Sequence, residues 1–255
     1  MIALVGNLAR DLLPGAPPRA GGGPTHGARA LQRLGTPARV YARCAEADRE
    51  TLFEPLAALG VGARYVPGTS TACFELSYTG ERRVMRLLAP GDSWRPDEAP
   101  RLPAAVSWVH VAPLLRSDFP AETLAVLAAG RRILLDGQGL VRAASAGPLV
   151  LDADYDPGVF QHLAALKLAE DAATVLGDPG ALPVAEILVT HGSAGATIYA
   201  DGRVERVSSD PVDTDPTGAG DAFCVAYASA RAAGHAPVDA AQLAANLVSA
   251  LLKER

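Results

Sequence analysis

The sequence predicts an α/β fold in which helices cover both faces of a mostly parallel β-sheet. Short apolar segments, typical of buried strands, alternate with segments whose apolar residues recur at helical spacing. The first strands are predicted at 2–5 and 38–42, and the first helices at 25–34 and 48–59. Strands without polar alternation are typical of parallel sheets buried on both faces. The 255 residues suit one α/β domain spanning 1–255, and 49% hydrophobic residues allow a large core.

The alternation stops between residues 62 and 89, where three β-prone segments follow one another without a helix. Within these segments, residues 73–78 and 84–87 alternate apolar and polar side chains, as in a sheet with one solvent-exposed face. We expect this segment to form a small β-sheet lid that covers either a ligand or a partner subunit, and in the second case the chain forms a homodimer through the lid. An ordinary hairpin at the sheet edge is the alternative.

Two stretches before the lid have no regular pattern, a loop at 6–11 and a Pro/Gly-rich stretch at 14–23. After the lid, a proline-rich loop at 90–103 is followed by a return to the α/β alternation. We predict strands at 107–111, 132–136, 148–151, 165–168, 186–190, 196–200 and 203–207. We predict helices at 121–129, 158–164, 218–233 and 238–252.

Composition excludes several classes of function. The net charge is −5 with no basic block, so nucleic acid is not an expected partner. No apolar run approaches the roughly 18 residues of a membrane span, and the N-terminus is typical of a first strand rather than a signal peptide. Three widely spaced cysteines without a Cys-x-x-Cys motif favour a reducing, cytoplasmic location and argue against structural zinc.

The stretch Asp215-Pro216-Thr217-Gly218-Ala219-Gly220-Asp221 joins a β-prone segment to an apolar helix. The unpaired N–H groups at a helix N-terminus can bind an anion when small residues leave room. Asp221 follows within the first turn, so the joint combines a phosphate site with a carboxylate. An N-cap at Thr217 with flexible glycines is the alternative. Because a helix N-terminus stabilises negative charge, we expect a lowered pKa for Asp221 and therefore a weak base.

Other phosphate-binding motifs are missing from the sequence. Neither lysine follows a glycine, which excludes a P-loop. The run from Gly21 comes closest to a dinucleotide fingerprint but fails at His26. The joint before Asp221 is therefore the one candidate phosphate site in the sequence.

The segment from Asp215 to Phe223 resembles the C-terminal signature of the ribokinase/PfkB family of small-molecule kinases. The resemblance implies a ribokinase-like three-layer α/β/α fold and phosphoryl transfer from ATP, with Mg²⁺, to a hydroxyl of a sugar or cyclic polyol. Asp221 would be the base, and the amides of Gly218, Ala219 and Gly220 the anion hole. A loose transition state tolerates a weak base, because the hydroxyl loses its proton late.

Other landmarks follow the family's order along the chain. Asp11 resembles the substrate-binding acid after the first strand, and Gly21-Gly22 resembles the glycine pair. His26 stands where the family usually has a substrate-contacting Asn, which puts the usual furanose ligand in doubt. The resemblance implies that the nucleotide lies beside Thr190, Gly192, Gly195 and Thr217.

The family's Asn-x-x-Glu motif, which organises magnesium through water, is replaced here by residues 166–171 without the Asn. Glu170 is the candidate acid, with Asp171 as the alternative. A weaker resemblance to inositol-kinase-like members rests on Phe74-Glu75 and on residues 109–113 and 136–139.

Two further interpretations remain open from the sequence. A nucleoside kinase shares the fold and signature, although few aromatic residues are available to stack on a base. A non-catalytic ligand-binding protein on the same fold is less consistent with the presence of Asp221.

Overall fold

The computed structural model describes residues 1–79, 82–212 and 214–254. The strands are β1 Ile2–Asn7, β2 Ala9–Leu12, β3 Arg19–Gly21, β4 Ala38–Ala45, β5 Ala63–Gly68, β6 Ala72–Thr79, β7 Arg82–Ala89, β8 Trp108–Ala112, β9 Arg132–Asp136, β10 Gly147–Pro148, β11 Ala165–Ala169, β12 Glu186–Thr190, β13 Ala196–Ala200 and β14 Arg203–Val207. The α-helices are α1 Gly23–Leu34, α2 Glu54–Ala57, α3 Ala121–Ala128, α4 Gln138–Val141, α5 Glu170–Leu176, α6 Ala219–Ala232 and α7 Pro237–Lys253.

A large sheet forms the centre of the molecule, in the strand order β14-β13-β12-β11-β9-β8-β1-β4-β5. All neighbours pair in parallel except β12 with β13 and β13 with β14, so the predicted mostly parallel sheet is confirmed. The carboxyl ends of its parallel strands meet at one edge, where open α/β sheets bind ligands.

Two hydrophobic layers cover the faces of this sheet, because alternate residues of a strand point in opposite directions. Leu4 and Leu134 pack on the side of α1, α6 and α7. Their neighbours Val5 and Leu135 pack on the other side, against α3 and α5. The three-layer α/β/α architecture is thereby confirmed. Among the described residues, no helix combines the length and the apolar character needed to cross a membrane.

A second sheet of five strands, in the order β10-β7-β6-β2-β3, forms the lid. The predicted lid segment 62–89 is partly wrong, because β5 pairs in parallel with β4 and belongs to the large sheet. The lid instead recruits β2 and β3, so the loop predicted at 6–11 and the irregular stretch at 14–23 both contain strand residues. The sequence Thr79-Gly80-Glu81 predicts a turn between β6 and β7, and this turn lies partly outside the described residues.

Other boundaries differ where backbone geometry departs from the ideal helix. The helix predicted at 48–59 divides into a 3₁₀ turn at Glu46–Asp48, a π-helical turn at Arg49–Phe53 and α2. Residues predicted as a helix at 158–164 form the 3₁₀ helix Pro157–His162.

The stretch predicted as a loop at 90–103 holds the buried Trp94. Its Nε1–H donates to Asn7 Oδ1 at 2.8 Å and fixes the end of β1.

Candidate active site

The joint before α6 has the small-residue geometry that the sequence predicts. Gly218 is the N-cap of α6 with φ of 82°, in the left-handed region that favours glycine. A Cβ on Gly218 would lie 2.6 Å from both Cγ and Nδ1 of His26, so the imidazole packs directly on this glycine. The alternative N-cap at Thr217 is wrong, because its N–H and Oγ1–H donate backwards to Asp215 Oδ1 at 3.0 and 2.7 Å.

Two cavities meet at this joint. The large cavity has a volume of about 560 Å³ and runs from the joint along α7. The small cavity has a volume of about 110 Å³ and lies between the joint and the lid. Both are bordered by Asp221 and Gly218. Asp221 is therefore within reach of a group bound in either cavity.

Most residues singled out in the sequence line the large cavity. They are Thr190, Gly192, Gly195, Thr217, Gly218, Ala219, Gly220, Asp221, Glu170 and Asp171. Apolar side chains of Val212, Val248 and Leu252 also line it. The cavity thus has a polar region at the helix N-terminus together with apolar wall.

The small cavity holds the residues singled out near the N-terminus. Asp11, on β2 of the lid, lines it together with Gly22 and His26. Gly21 lies behind Asp11, since a Cβ there would fall 2.4 Å from Asp11 Oδ2. The cavity is completed by Phe74 and Met85 from the lid and by Arg142. Its lining carries many hydrogen-bonding groups, which suits a small hydroxylated molecule.

The expectation of a lowered pKa for Asp221 is wrong. Burial raises its pKa to about 7, and the nearby negative charge of Asp136 adds to the rise, although Lys167 and Arg142 oppose it. Gly23, at the start of α1, brings that helix close, since a Cβ there would lie 2.9 Å from Asp221 Oδ1. The dipole of the helix is thus outweighed by desolvation and by a second carboxylate.

Sequence reasoning missed Asp136 and Lys167 as site residues. They lie directly opposite each other on β9 and β11, and Lys167 Nζ is 3.4 Å from Asp136 Oδ2. Both are buried and both line the large cavity. The available signal was a charged side chain on each of two otherwise apolar strands, since Asp136 ends β9 and Lys167 lies within β11.

The candidate metal residues are already engaged in hydrogen bonds. Glu170 Oε1 lies 2.8 Å from His191 Nδ1, and Asp171 Oδ1 accepts the N–H of Ala172 at 2.8 Å. Within the described ranges, no group of three or more His, Cys, Asp or Glu side chains is placed to hold a metal ion. These acids therefore fit contact with a hydrated cation better than a full protein ligand set.

Comparison with known proteins tests the family resemblance and the fold. Residues 161–255 match the model of the pfkB family carbohydrate kinases. A structure of a pyrophosphate-dependent kinase in the ribokinase family, complexed with a pyrophosphate analog and myo-inositol, superposes with a TM-score of 0.85 at 23% identity, covering 99% of this chain and 95% of that one. The predicted resemblance to the ribokinase/PfkB family is confirmed. The ribokinase-like fold is thereby established for the chain.

Other relatives share the ribokinase-like fold or part of the sequence. A nucleoside kinase of Burkholderia thailandensis in complex with inosine has a TM-score of 0.77 at 18% identity, covering 98% of this chain and 90% of that one. An inositol 3-kinase of Oryza sativa subsp. japonica is 36% identical over 122 residues. That match covers 44% of this chain and 31% of the rice protein, so the matched segment spans about a third of the curated relative's length.

Proposed function

We propose that the protein is an ATP-dependent kinase that transfers the γ-phosphoryl group to a hydroxyl of a cyclic polyol or sugar. The observation that carries the proposal is the position of Asp221, which borders both cavities beside the N-terminus of α6. Phosphoryl transfer requires a donor and an acceptor to meet at such a point, with positioned N–H groups and a proton acceptor.

The large cavity suits the donor. Its apolar wall of Val212, Val248 and Leu252 would contact the base of ATP, and its polar region would hold the phosphates. Thr190, Gly192, Gly195 and Thr217 would line the path between them. Glu170 and Asp171 would hold a hydrated Mg²⁺, which neutralises phosphate charge when bound.

The small cavity suits the acceptor. Asp11 would accept hydrogen bonds from hydroxyls beside the reacting one, while His26, Gly21 and Gly22 shape the wall. The acceptor hydroxyl would lie against Asp221. Its oxygen forms the new bond to γ-phosphorus, the bond from γ-phosphorus to the bridging oxygen of ATP breaks, and the hydroxyl proton passes to the Asp221 carboxylate. The N–H groups of Gly218 and Gly220 would stabilise the transferring group, whereas the N–H of Ala219, which the sequence placed with them, already donates to Pro216 O at 2.9 Å.

The proposed class of acceptor rests on the volume of the small cavity and on the ligands named for similar proteins. A cavity of about 110 Å³ favours a single small ring over a nucleoside, which also carries a base. The rice relative is named an inositol 3-kinase, and the pyrophosphate-dependent kinase was solved with myo-inositol. Nucleoside phosphorylation remains the second candidate, because the Burkholderia neighbour was solved with inosine.

An acceptor screen tests the proposal. ADP release from ATP would be followed with myo-inositol, other cyclic polyols, sugars and nucleosides, with a reaction lacking acceptor as the control for simple ATP hydrolysis. We expect turnover with a cyclic polyol or a sugar. Turnover with nucleosides alone would favour the second candidate, and tight ligand binding without any turnover would favour a non-catalytic binding protein. A parallel series of reactions with pyrophosphate in place of ATP tests which phosphoryl donor the protein uses.

The rate should depend on pH through Asp221. Because its pKa is raised to about 7, the carboxylate gains its proton-accepting form as pH rises through that value. We expect kcat/KM for the acceptor to rise from acid pH to a plateau above neutrality, with an apparent pKa near 7. The check is a pH profile at constant ionic strength and saturating donor. A profile that stays flat across neutrality would contradict the role of Asp221 as base.

A further inference from the structure

Lys167 occupies a position that the role of Asp221 does not explain. It lies on β11, in the interior of the large sheet, and its side chain is only 4% exposed. Its ammonium reaches the carboxyl edge of the sheet and lines the large cavity. A Cβ on Gly220 would lie 2.7 Å from Lys167 Nζ, so the ammonium abuts the first turn of α6. Lys167 is therefore directly beside the proposed anion hole.

The contacts of this ammonium are incomplete. A lysine ammonium has three donors. Across residues 1–79, 82–212 and 214–254, the hydrogen bond found for Lys167 Nζ goes to Asp136 Oδ2 at 3.4 Å, which is long for such a bond. A buried charge with one long contact is costly unless another group completes its shell. The open side of this shell is the cavity.

The charges around the site favour a cation at this position. Asp136 and Asp221 both border the point where the two cavities meet. Two carboxylates at that point would repel a phosphoryl group, which carries negative charge of its own. Burial alone would lower the pKa of Lys167, but Asp136, Cys224 and Asp221 raise it, so the ammonium keeps its proton at neutral pH.

We propose that Lys167 is a catalytic residue that donates hydrogen bonds to the phosphoryl group as it passes from donor to acceptor. This assignment deepens the proposed function and rests on it. The ammonium does not give up a proton: the proton released by the acceptor goes to Asp221, and Lys167 offsets the negative charge of the group in transit. A side chain at position 220 would push the ammonium away from this position, because a Cβ there would lie 2.7 Å from Lys167 Nζ.

Binding of inorganic pyrophosphate tests this contact without requiring an acceptor. Isothermal titration calorimetry above neutral pH, with MgCl₂ held constant, would compare the wild type with Lys167→Met. We expect at least about a 10-fold loss of affinity, in line with the loss of a charge-assisted contact. The matched control is Lys253→Met, which removes the chain's other lysine, an exposed residue paired with Asp210 at 2.8 Å. It should bind pyrophosphate like the wild type.

Two more variants cover the case in which Lys167→Met fails to fold because Asp136 is left buried and unpaired. Asp136→Asn keeps the ammonium and should bind pyrophosphate at least as tightly as the wild type. The double variant Lys167→Met/Asp136→Asn removes both charges and should lose the affinity. Equal affinity of the double variant and Asp136→Asn, or no measurable binding by the wild type, would overturn the assignment.

Kinetics separate this proposal from the proposed function. With an acceptor that the wild type phosphorylates, Lys167→Met should lower kcat about 10²–10³-fold and leave the acceptor KM little changed. An unchanged kcat would overturn the catalytic role. If the wild type turns over no acceptor while pyrophosphate binding still depends on Lys167, the anion contact is supported and the kinase function is contradicted.

Discussion

Asp221→Asn should abolish turnover while ATP still binds. The amide keeps the size of the carboxylate but cannot accept the hydroxyl proton, and general-base contributions are typically about 10²–10⁴-fold. The affinity for ATP should be at least that of the wild type, because the proposed phosphate contacts at the start of α6 are backbone N–H groups and the substitution removes a carboxylate that repels phosphate. Turnover is measured by ADP release and affinity by calorimetry. Near-normal turnover would contradict the mechanism.

The same variant has a stability signature with a defined sign. The folded protein raises the pKa of Asp221 from 3.8 to about 7, so at pH above 7 the ionised carboxylate destabilises the fold, and below about 4 the penalty disappears. Asp221→Asn should therefore be more stable than the wild type at pH 8, by on the order of 1–4 kcal/mol. The gain should shrink as pH falls. If Asp221→Asn and the wild type had equal free energies of unfolding at every pH from 4 to 8, the raised pKa of Asp221 would be contradicted.

Gly218→Ala should reduce turnover by about 10²–10³-fold, the usual effect of damaging an anion hole. Alanine is strained at φ of 82°, and its Cβ would overlap the imidazole of His26, 2.6 Å away. The backbone must shift to relieve both, and the N–H groups at the start of α6 shift with it. Steady-state kinetics with the acceptor found in the screen would measure the loss.

Gly234→Ala is the matched control for this substitution. Gly234 follows the other end of α6 with φ of 95°, and a Cβ there would meet no heavy atom of the described chain within 4 Å. Gly234→Ala therefore introduces backbone strain similar to that of Gly218→Ala, about 1–2 kcal/mol, at a position away from both cavities. Activity should be retained despite lower stability. If both variants lost activity equally, general destabilisation rather than the anion hole would explain the effect of Gly218→Ala.

The sequence predicted the joint well because its properties are local. The small residues at 218–220 and the carboxylate of Asp221 in the first turn of α6 are adjacent in the chain, so the sequence alone predicts where this helix begins. The limits of the lid were predicted less accurately, because the sequence of a strand does not show which strand it pairs with. Residues 64–66 look like the strands that follow them, yet β5 pairs with β4 in the large sheet.

Electrostatics were the least predictable part of the site. The dipole of α6 could be inferred from the sequence, but the proximity of Asp136 and Lys167 to Asp221 depends on which strands are neighbours. Asp136 precedes Asp221 by 85 positions in the chain and joins it only because β9 and α6 meet at one edge of the sheet. The residues adjacent to Asp221 in the chain therefore predicted the wrong direction for its pKa shift.

The most direct measurement of the central claim is phosphorus NMR of the complete reaction. With ATP, Mg²⁺ and the acceptor found in the screen, the wild type should convert the γ-phosphate signal into a phosphate monoester of the acceptor, together with ADP. Asp221→Asn should leave the ATP signals unchanged over the same period. Formation of inorganic phosphate without a monoester, or a monoester formed equally well by Asp221→Asn, would contradict transfer to a hydroxyl held at Asp221.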